Sequence, residues 1–508
     1  MNLRPYSSVL IANRGEIAVR LLRACKEEGL RVIAVYSDAD ADALHVRLAD
    51  QAVRLGPAPS SESYLLQDKV LEAARATGAE AIHPGYGFLS ENAGFARRVL
   101  EAGLVWIGPP PSSIEAMGSK TMARQRMIAA GVPVVPGTAD PLSDAAEARR
   151  IALEIGLPVM LKAAAGGGGK GMRRVDDVDR LDDALASAQS EATKSFGDDA
   201  VYVEKYVVNP RHVEIQVLAD GHGNCVHLFE RDCSIQRRHQ KVVEEAPSPV
   251  LSEETRAAMG EVAVQAARAV GYVGAGTCEF LYAEDGSFYF LEMNTRLQVE
   301  HPISEMITGV DLARMQLRVA RGETLPFAQT DLSIRGHAIE CRIYAEDPYA
   351  NFRPAPGPLF GYVEPVGPFV RVDSGAWEGG EVPIHYDPMI AKLIVWGSDR
   401  SEALSRLKRA LDDYHIVGID TSIPFFKALL EDEAFIAGQY TTGFLQGTWL
   451  ESNMVKSEDD AEWAAIAAAI ARATDDLELA TKVDGGGHTV SPWKQTARWQ
   501  HTTRGGLR

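Results

Sequence analysis

Residues 277–302 read TCEFLYAEDGSFYFLEMNTRLQVEHP, which sets Asp285 and Gly286 between two aromatic-rich runs. That is a strong β-hairpin signal. With those two residues as the loop, Glu284 faces Ser287, Leu281 faces Phe290 and Glu279 faces Glu292. Two carboxylates directly across a ladder repel and weaken the sheet. The pairing makes sense where a divalent cation lies between them, since magnesium is held by one or two carboxylates plus substrate phosphates. An extended second run places Glu292, Asn294, Arg296, Gln298 and Glu300 on one face, and Met293, Thr295, Leu297 and Val299 on the other. A solvated outer face of an antiparallel sheet also alternates in this way. Such faces carry interchangeable polar residues, whereas five hydrogen-bonding groups of four kinds opposite a glutamate point to a site.

The signals before this stretch are of another kind. Residues 9–12 (VLIA), 32–36 (VIAVY), 81–83 (AIH) and 105–107 (VWI) are short apolar runs. Between the first two, Ile17, Val19, Leu21, Leu22 and Ala24 repeat with helical spacing up to a stop at Gly29. Strands alternating with helices predict a doubly wound parallel sheet over residues 1–117. A helix is expected from Lys120 to Ala130. A small unit at about 135–206 follows, and after Pro210 long alternating strands predict antiparallel pairing. A third, mainly antiparallel unit is expected over 331–447. The last stretch, 448–508, differs. It holds an Ala-rich helix candidate from Ser457 with Trp463, Ile466 and Ile470 on one side, a Gly485-Gly486-Gly487 break, and a basic tip with Trp493 and Trp499. It reads as a partly ordered tail or as a docking segment.

Two further clusters carry charge and glycine. Residues 162–172 (KAAAGGGGKGM) hold four consecutive glycines, Gly166, Gly167, Gly168 and Gly169, between Lys162 and Lys170. Consecutive glycines let backbone N–H groups approach phosphate oxygens. Gly171 stands where a Walker A loop needs Ser or Thr, and no dinucleotide fingerprint opens the first βα unit. A flexible linker has the same composition. Residues 230–241 (ERDCSIQRRHQK) gather basic side chains from Arg231 to Lys241, near the alternating run 211–217 with His212 on its polar side. Local anion binding and ordinary surface ion pairing both fit that cluster.

The chain has 508 residues, of which 46% are hydrophobic and 24% charged, and a formal net charge of −18. The length suggests about three domains. The charge excludes nonspecific nucleic-acid binding as a main role. No long uncharged apolar run predicts a membrane span. Five scattered cysteines without a Cys-x-x-Cys pair, and no signal-like leader, point to a reducing cytoplasm.

Together these motifs resemble the biotin carboxylase subunit of biotin-dependent carboxylases, in the ATP-grasp superfamily. The likeness rests on residues 11–18 (IANRGEIA), 83–92 (HPGYGFLSEN), the glycine loop, residues 230–241, and 292–296 (EMNTR). It covers about residues 5–447. It implies an α/β and α+β architecture: the parallel N-terminal domain, an ATP-grasp domain at 118–330 with a mobile lid, and the C-terminal domain. It implies ATP, bicarbonate, Mg2+ or Mn2+, and biotin as a carrier-bound substrate. By resemblance Glu279, Glu292 and Asn294 hold metal around the triphosphate, and Lys120 and Lys162 contact phosphates under the glycine lid. Glu204, Lys205 and Val207 lie beside the adenine, and His212, Gln236 and His239 contact ribose or phosphate. Arg296, Gln298 and the Val299 backbone cradle bicarbonate, and Glu300 is its base. Arg342 steadies the biotin enolate, and Lys241 stands near the carboxyphosphate. A Glu300 beside Arg296 is expected to have a depressed pKa.

No Ala-Met-Lys-Met-type biotinylation turn occurs in the sequence. A biotin carrier protein and a carboxyltransferase subunit on separate chains are therefore expected, with a homodimer suggested by the family. Another ATP-grasp ligase, joining a carboxylate to an amine through an acyl phosphate, would share the metal carboxylates and glycine loop. The Arg296-to-Glu300 face with Arg342 separates the two.

Overall fold

The apolar runs near the start form five parallel strands: β1 (Ser8–Ile11), β2 (Arg31–Ser37), β3 (Gln51–Gly56), β4 (Ala81–His83) and β5 (Val105–Trp106), in the order β3-β2-β1-β4-β5. Alternate residues feed two cores, as a period of two requires. Val9, Ile11 and Val32 pack with Ile17, Leu21 and Leu22 of α1 (Gly15–Glu27). Leu10, Ile33 and Val35 pack on the opposite face. A short α2 (Leu44–Leu48) precedes α3 (Gln67–Thr77) and α4 (Ala93–Glu101), whose Val70, Leu71, Phe95 and Val99 supply that second core. Gly29 takes a left-handed φ of 70° just past α1, and the Leu30 N–H reaches back to the Cys25 carbonyl at 2.9 Å. That is the glycine-dependent helix stop anticipated from sequence. Strand β3 carried no readable signal, because it is an edge strand with most of its residues exposed or half-buried.

This computed structural model describes residues 5–138, 141–142, 144–163, 172–196 and 199–455, without the side chains of residues 120, 121, 163, 195 and 196. The loop Gly166, Gly167, Gly168, Gly169 and the expected helix from Ser457 lie outside the described residues.

After α5 (Pro111–Gly118) and α6 (Lys120–Ala129) the chain builds a small layered unit. Helix α7 (Ala145–Ile155) and α8 (Leu181–Phe196) cover a three-stranded antiparallel sheet of β6 (Val159–Ala163), β7 (Met172–Val175) and β8 (Val201–Lys205), in the order β7-β6-β8. It has its own core, including Ala148, Ala152, Val159, Leu161, Leu185 and Val203.

The rest is organised by one eight-stranded antiparallel sheet. It uses β9 (Arg211–Ala219), β10 (Cys225–Arg237), β11 (Gln240–Ala246), β12 (Gly274–Tyr282), β13 (Phe288–Asn294) and β14 (His337–Tyr344). Three short ladders branch from it: β15 (Glu346–Asp347) with β16 (Arg353–Pro354), β17 (Gly357–Pro358) with β20 (Glu381–Val382), and β18 (Gly361–Val363) with β22 (His415–Val417). With β19 (Val370–Ser374) and β21 (Met389–Gly397) the main order is β13-β12-β9-β10-β11-β14-β21-β19. One face of β9 and β12 is apolar. Val213, Ile215, Val217, Cys278 and Phe280 pack against Met259, Ala263 and Ala266 of α9 (Glu253–Ala269). Among the described residues, no helix is long and apolar enough to cross a membrane. All five cysteines are free thiols.

The hairpin differs from expectation in two ways. The Ala283 N–H bonds the Ser287 carbonyl at 2.8 Å, so the loop is Glu284, Asp285 and Gly286, with Gly286 left-handed at φ 84°. Leu281 therefore faces Tyr289, not Phe290, and Glu284 is in the loop rather than opposite Ser287. A bulge then shifts the register back, and Glu279 does face Glu292. Strand β13 also stops at Asn294, so residues 295–300 are not extended. They turn into α10 (His301–Thr308), with Glu300 at its N-cap position, and α11 (Leu312–Ala320) follows.

Candidate active site

The other face of the main sheet is polar yet buried. His212, Glu214 and Gln216 alternate along β9, and all three are buried. Register places four side chains in a row across four strands: Arg231 on β10, Glu214 on β9, Glu279 on β12 and Glu292 on β13. Three neighbouring carboxylates would destabilise a ladder. Cations inserted from both sides offset this. Arg231, fully buried, donates from Nε to Glu214, from Nη1 to Gln216 Oε1 at 2.6 Å and Ser304 Oγ at 3.0 Å, and from Nη2 to Thr277 Oγ1 at 3.0 Å. His212 Nε2 lies 3.0 Å from Glu279 Oε2.

Lys241 occupies the centre. Strands β10 and β11 join through a two-residue turn, Arg238 and His239, both left-handed at φ 51° and 67°. That is the turn geometry hairpins favour, here without the usual Asn-Gly pair. Just past it, Lys241 Nζ donates to Glu214 Oε2 at 2.6 Å, Glu279 Oε1 at 2.9 Å and Glu300 Oε1 at 2.7 Å. Burial opposes its charge, but Glu214, Glu279 and Glu300 outweigh that and raise its pKa well above the ordinary lysine value. Glu279, held by Lys241 and His212 against the effect of burial, stays far below the usual carboxylate range.

Glu300 is fully buried and clamped. Its Oε2 accepts from Arg342 Nη2 at 2.9 Å, and Arg342 Nε donates to Glu244 Oε1 at 2.7 Å. Burial would raise the Glu300 carboxyl, yet Lys241, Arg342 and Arg231 hold it well below the carboxylate norm. The expected depression is present, but Arg296 is not its main source. The turn at 295–300 aims Arg296 elsewhere. Its Nε donates to Glu91 Oε2 at 2.9 Å, Nη1 to Gln298 Oε1 at 2.9 Å and Nη2 to Asn294 Oδ1 at 3.0 Å. Burial, with Glu300 next to it, pushes the Glu244 carboxyl up to about 7.

The structure thus joins Lys241, His212, Glu279, Asn294, Arg296, Gln298, Glu300 and Arg342 in one network. Asn294 Nδ2 and Gln298 Nε2 both donate to Glu279 Oε1, at 2.9 and 3.2 Å. Glu292 is exposed at the sheet's outer strand, opposite Glu279. An all-oxygen set of Glu279, Glu292 and the Asn294 carbonyl fits a hard divalent cation such as magnesium. The other expected residues lie around this centre. Lys162 on β6 pairs with Glu204 on β8, and Arg124 Nη1 stands 3.5 Å from the same carboxylate. The Lys205 N–H bonds the Pro136 carbonyl at 2.7 Å, and Val207 is buried. Gln236 Nε2 donates to the Cys233 carbonyl at 2.9 Å, while His239 is exposed on the hairpin turn. Lys120 opens α6, its side chain outside the described residues.

Four contributors had no assigned role from sequence: Glu214, Arg231, Glu91 and Glu244. Glu214 shares the polar side of its strand with His212, so the alternation held that signal. The pairings of Glu91 and Glu244 are long-range, and no local spacing reveals them.

Comparison with known proteins gives the chain its family. The N-terminal domain of biotin carboxylase matches residues 5–114, the ATP-binding domain of the carbamoyl-phosphate synthase L chain matches 119–328, and the biotin carboxylase C-terminal domain matches 340–447. The chain belongs to the biotin carboxylase family. It is 55% identical to a pyruvate carboxylase subunit of Methanothermobacter thermautotrophicus, over 89% of this chain and 93% of that one. It is also 53% identical to biotin carboxylase 1 of Bacillus subtilis, over 86% and 98% of the two chains. The Campylobacter jejuni biotin carboxylase, solved with a β,γ-ATP compound, superposes with a TM-score of 0.81 at 49% identity, covering 87% and 98%. The biotin carboxylase domain dimer of Hydrogenobacter thermophilus 2-oxoglutarate carboxylase, solved with MgADP and bicarbonate, gives 0.81 at 47% identity, covering 90% and 100%. Membership of the biotin carboxylase family makes this chain an ATP-dependent ligase with an ATP-grasp fold.

Proposed function

We propose that this chain carries out the first half-reaction of a multi-subunit carboxylase, loading biotin that a separate carrier protein holds. The observation that carries this reading is the clamp on Glu300, with Lys241 on one oxygen and Arg342 on the other. A base for bicarbonate must be held beside cations that also tolerate its anionic substrate and product.

In this reading the γ-phosphoryl of ATP passes to a bicarbonate oxygen. Glu300 takes the bicarbonate proton, and carboxyphosphate and ADP result. Carboxyphosphate breaks down to carbon dioxide and phosphate. The phosphate removes the N1′ proton of biotin, and the nitrogen captures the carbon dioxide. Arg296, Gln298 and the Val299 N–H hold bicarbonate. Lys241 neutralises the carboxyphosphate, and Arg342 steadies the biotin enolate. Glu279, Glu292 and Asn294 would hold magnesium, which neutralises the triphosphate when bound. Phosphoryl transfer depends mainly on such positioning and charge neutralisation. Lys120, Lys162 and the glycine loop contact phosphates, and the unit at about 135–206 closes as a lid, excluding water from a hydrolysis-prone intermediate. Glu204, Lys205 and Val207 border the adenine, and His212, Gln236 and His239 the ribose and phosphates.

The same reading places the protein in the cytoplasm as a homodimer, and its further partner is a separate carboxyltransferase. In this proposal the domains span 1–117, 118–330 and 331–447, with 448–508 as a docking tail. The test is carboxylation of a separately purified biotinylated carrier domain compared with free biotin. A kcat/KM for the carrier at least about tenfold above that for free biotin is expected. No transfer to the carrier would overturn the two-chain arrangement.

A further inference from the structure

Lys392 on β21 is a lysine with no exposed surface at all. Fully buried lysines are rare, and an ammonium in such a place is costly unless well partnered. Sheet register puts it beside Arg342 on β14 and Asp373 on β19. Two cations side by side across a ladder repel.

Lys392 Nζ donates to the Val299 carbonyl at 2.8 Å and lies 3.2 Å from Glu16 Oε2 and 3.7 Å from Asp373 Oδ2. Val299 belongs to the turn that carries Arg296, Gln298 and Glu300. Glu16 is in the first turn of α1 and accepts a hydrogen bond from the Tyr86 hydroxyl. Asp373 is itself held by Arg371 at 2.7 Å. One ammonium thus ties together the N-terminal domain, the bicarbonate turn and the C-terminal strands. A carbonyl fixed from behind leaves its peptide plane one orientation, which also fixes the adjacent backbone.

Glu340, two residues before Arg342 on β14, fits the same scheme. Both its carboxylate oxygens are buried without a hydrogen-bond partner. Burial, with Glu244 opposite, pushes its carboxyl well above the usual range.

We propose that Lys392 is a positioning residue for bicarbonate, holding the Val299 carbonyl so that residues 296–300 keep the shape of the anion cradle. This rests on reading that turn as the bicarbonate site.

The test is steady-state ATP hydrolysis by the full chain with magnesium and free biotin, comparing wild type with Lys392→Met. Methionine keeps the length and removes the donor. The expected result is a bicarbonate KM raised about tenfold with the ATP KM within about twofold, the loss of one charge-assisted hydrogen bond. A bicarbonate KM unchanged, or both KM values unchanged with kcat falling alongside thermal stability, would reduce Lys392 to a structural ion pair and overturn the proposal. Where Lys392→Met does not fold, the double variant Lys392→Met/Glu16→Gln serves, since it removes the donor without leaving the Glu16 charge unpaired. A bicarbonate KM raised at least about threefold supports the tie, and an unchanged one overturns it. Gln298→Ala runs in parallel. If it leaves the bicarbonate KM unchanged, the cradle reading itself has failed. If it raises the KM while the Lys392 variants do not, only the present inference falls.

Discussion

Glu300→Gln is expected to lower biotin-dependent ATP turnover by about a thousandfold, in the range removed with a general base, while the ATP dissociation constant changes little. The amide keeps the shape, but with one carbonyl oxygen it can accept from Lys241 or from Arg342, not from both. It cannot take a proton. ATP meets other groups, so its affinity has no reason to follow. The pH profile carries a second check. Glu300 is held well below the carboxylate norm in the free enzyme, so it stays ionised at every pH above that norm. The kcat/KM profile, which reports the free enzyme, is therefore not expected to rise between pH 6 and 8 through a Glu300 titration. Two anionic substrates entering the site add negative charge beside Lys241 and Arg342, which raises the Glu300 carboxyl toward a working base. Equilibrium ATP binding and steady-state kinetics decide the matter. A lost ATP affinity with Glu300→Gln would make Glu300 a binding or structural residue.

Lys241→Met is expected to have the largest effect on stability as well as on rate. Removing this ammonium leaves Glu214, Glu279 and Glu300 facing one another in a buried space. Breaking a buried pair costs roughly 3–5 kcal/mol, because the remaining charge is uncompensated. Here three carboxylates lose one shared partner. The folding penalty is expected to shrink in the double variant Lys241→Met/Glu214→Gln, since one of the three crowded carboxylates is then neutral. Turnover is expected to remain lost in both. Denaturant unfolding midpoints of the three proteins provide the check. An unchanged midpoint for Lys241→Met would show that the ammonium does not hold the carboxylates together.

These expectations rest on long-range pairings, and they mark where the sequence was readable. Periodicity located the parallel strands, because Leu10 and Ile11 go to opposite cores and the whole run is apolar. The Asp285-Gly286 turn located the hairpin, and with it the opposed pair Glu279 and Glu292. The same alternation misled beyond Asn294. Polar and apolar residues alternate equally well in a strand and in a turn held from several sides, so residues 295–300 read as extended chain. Their alternation reflects one side facing Glu279 and Glu91 and the other packing inward at Leu297. The bulge near Leu291 left no periodic trace, and it changed the partner of Leu281. The main source of the Glu300 shift was hidden for a related reason. Arg296 is its neighbour in sequence, whereas Lys241 and Arg342 reach it from strands 59 and 42 residues away. Lys392 and Glu244 were unreadable because nothing local distinguishes a charged residue buried by another domain from one at the surface.

The central claim is that the Glu300 clamp serves a bicarbonate-dependent carboxylation of biotin. The most direct measurement is ATP hydrolysis by the purified chain with magnesium, first without bicarbonate, then with it, then with free biotin added. The account predicts hydrolysis that requires bicarbonate and rises when biotin is supplied. Hydrolysis indifferent to bicarbonate would contradict it and point to a different carboxylate as the phosphoryl acceptor.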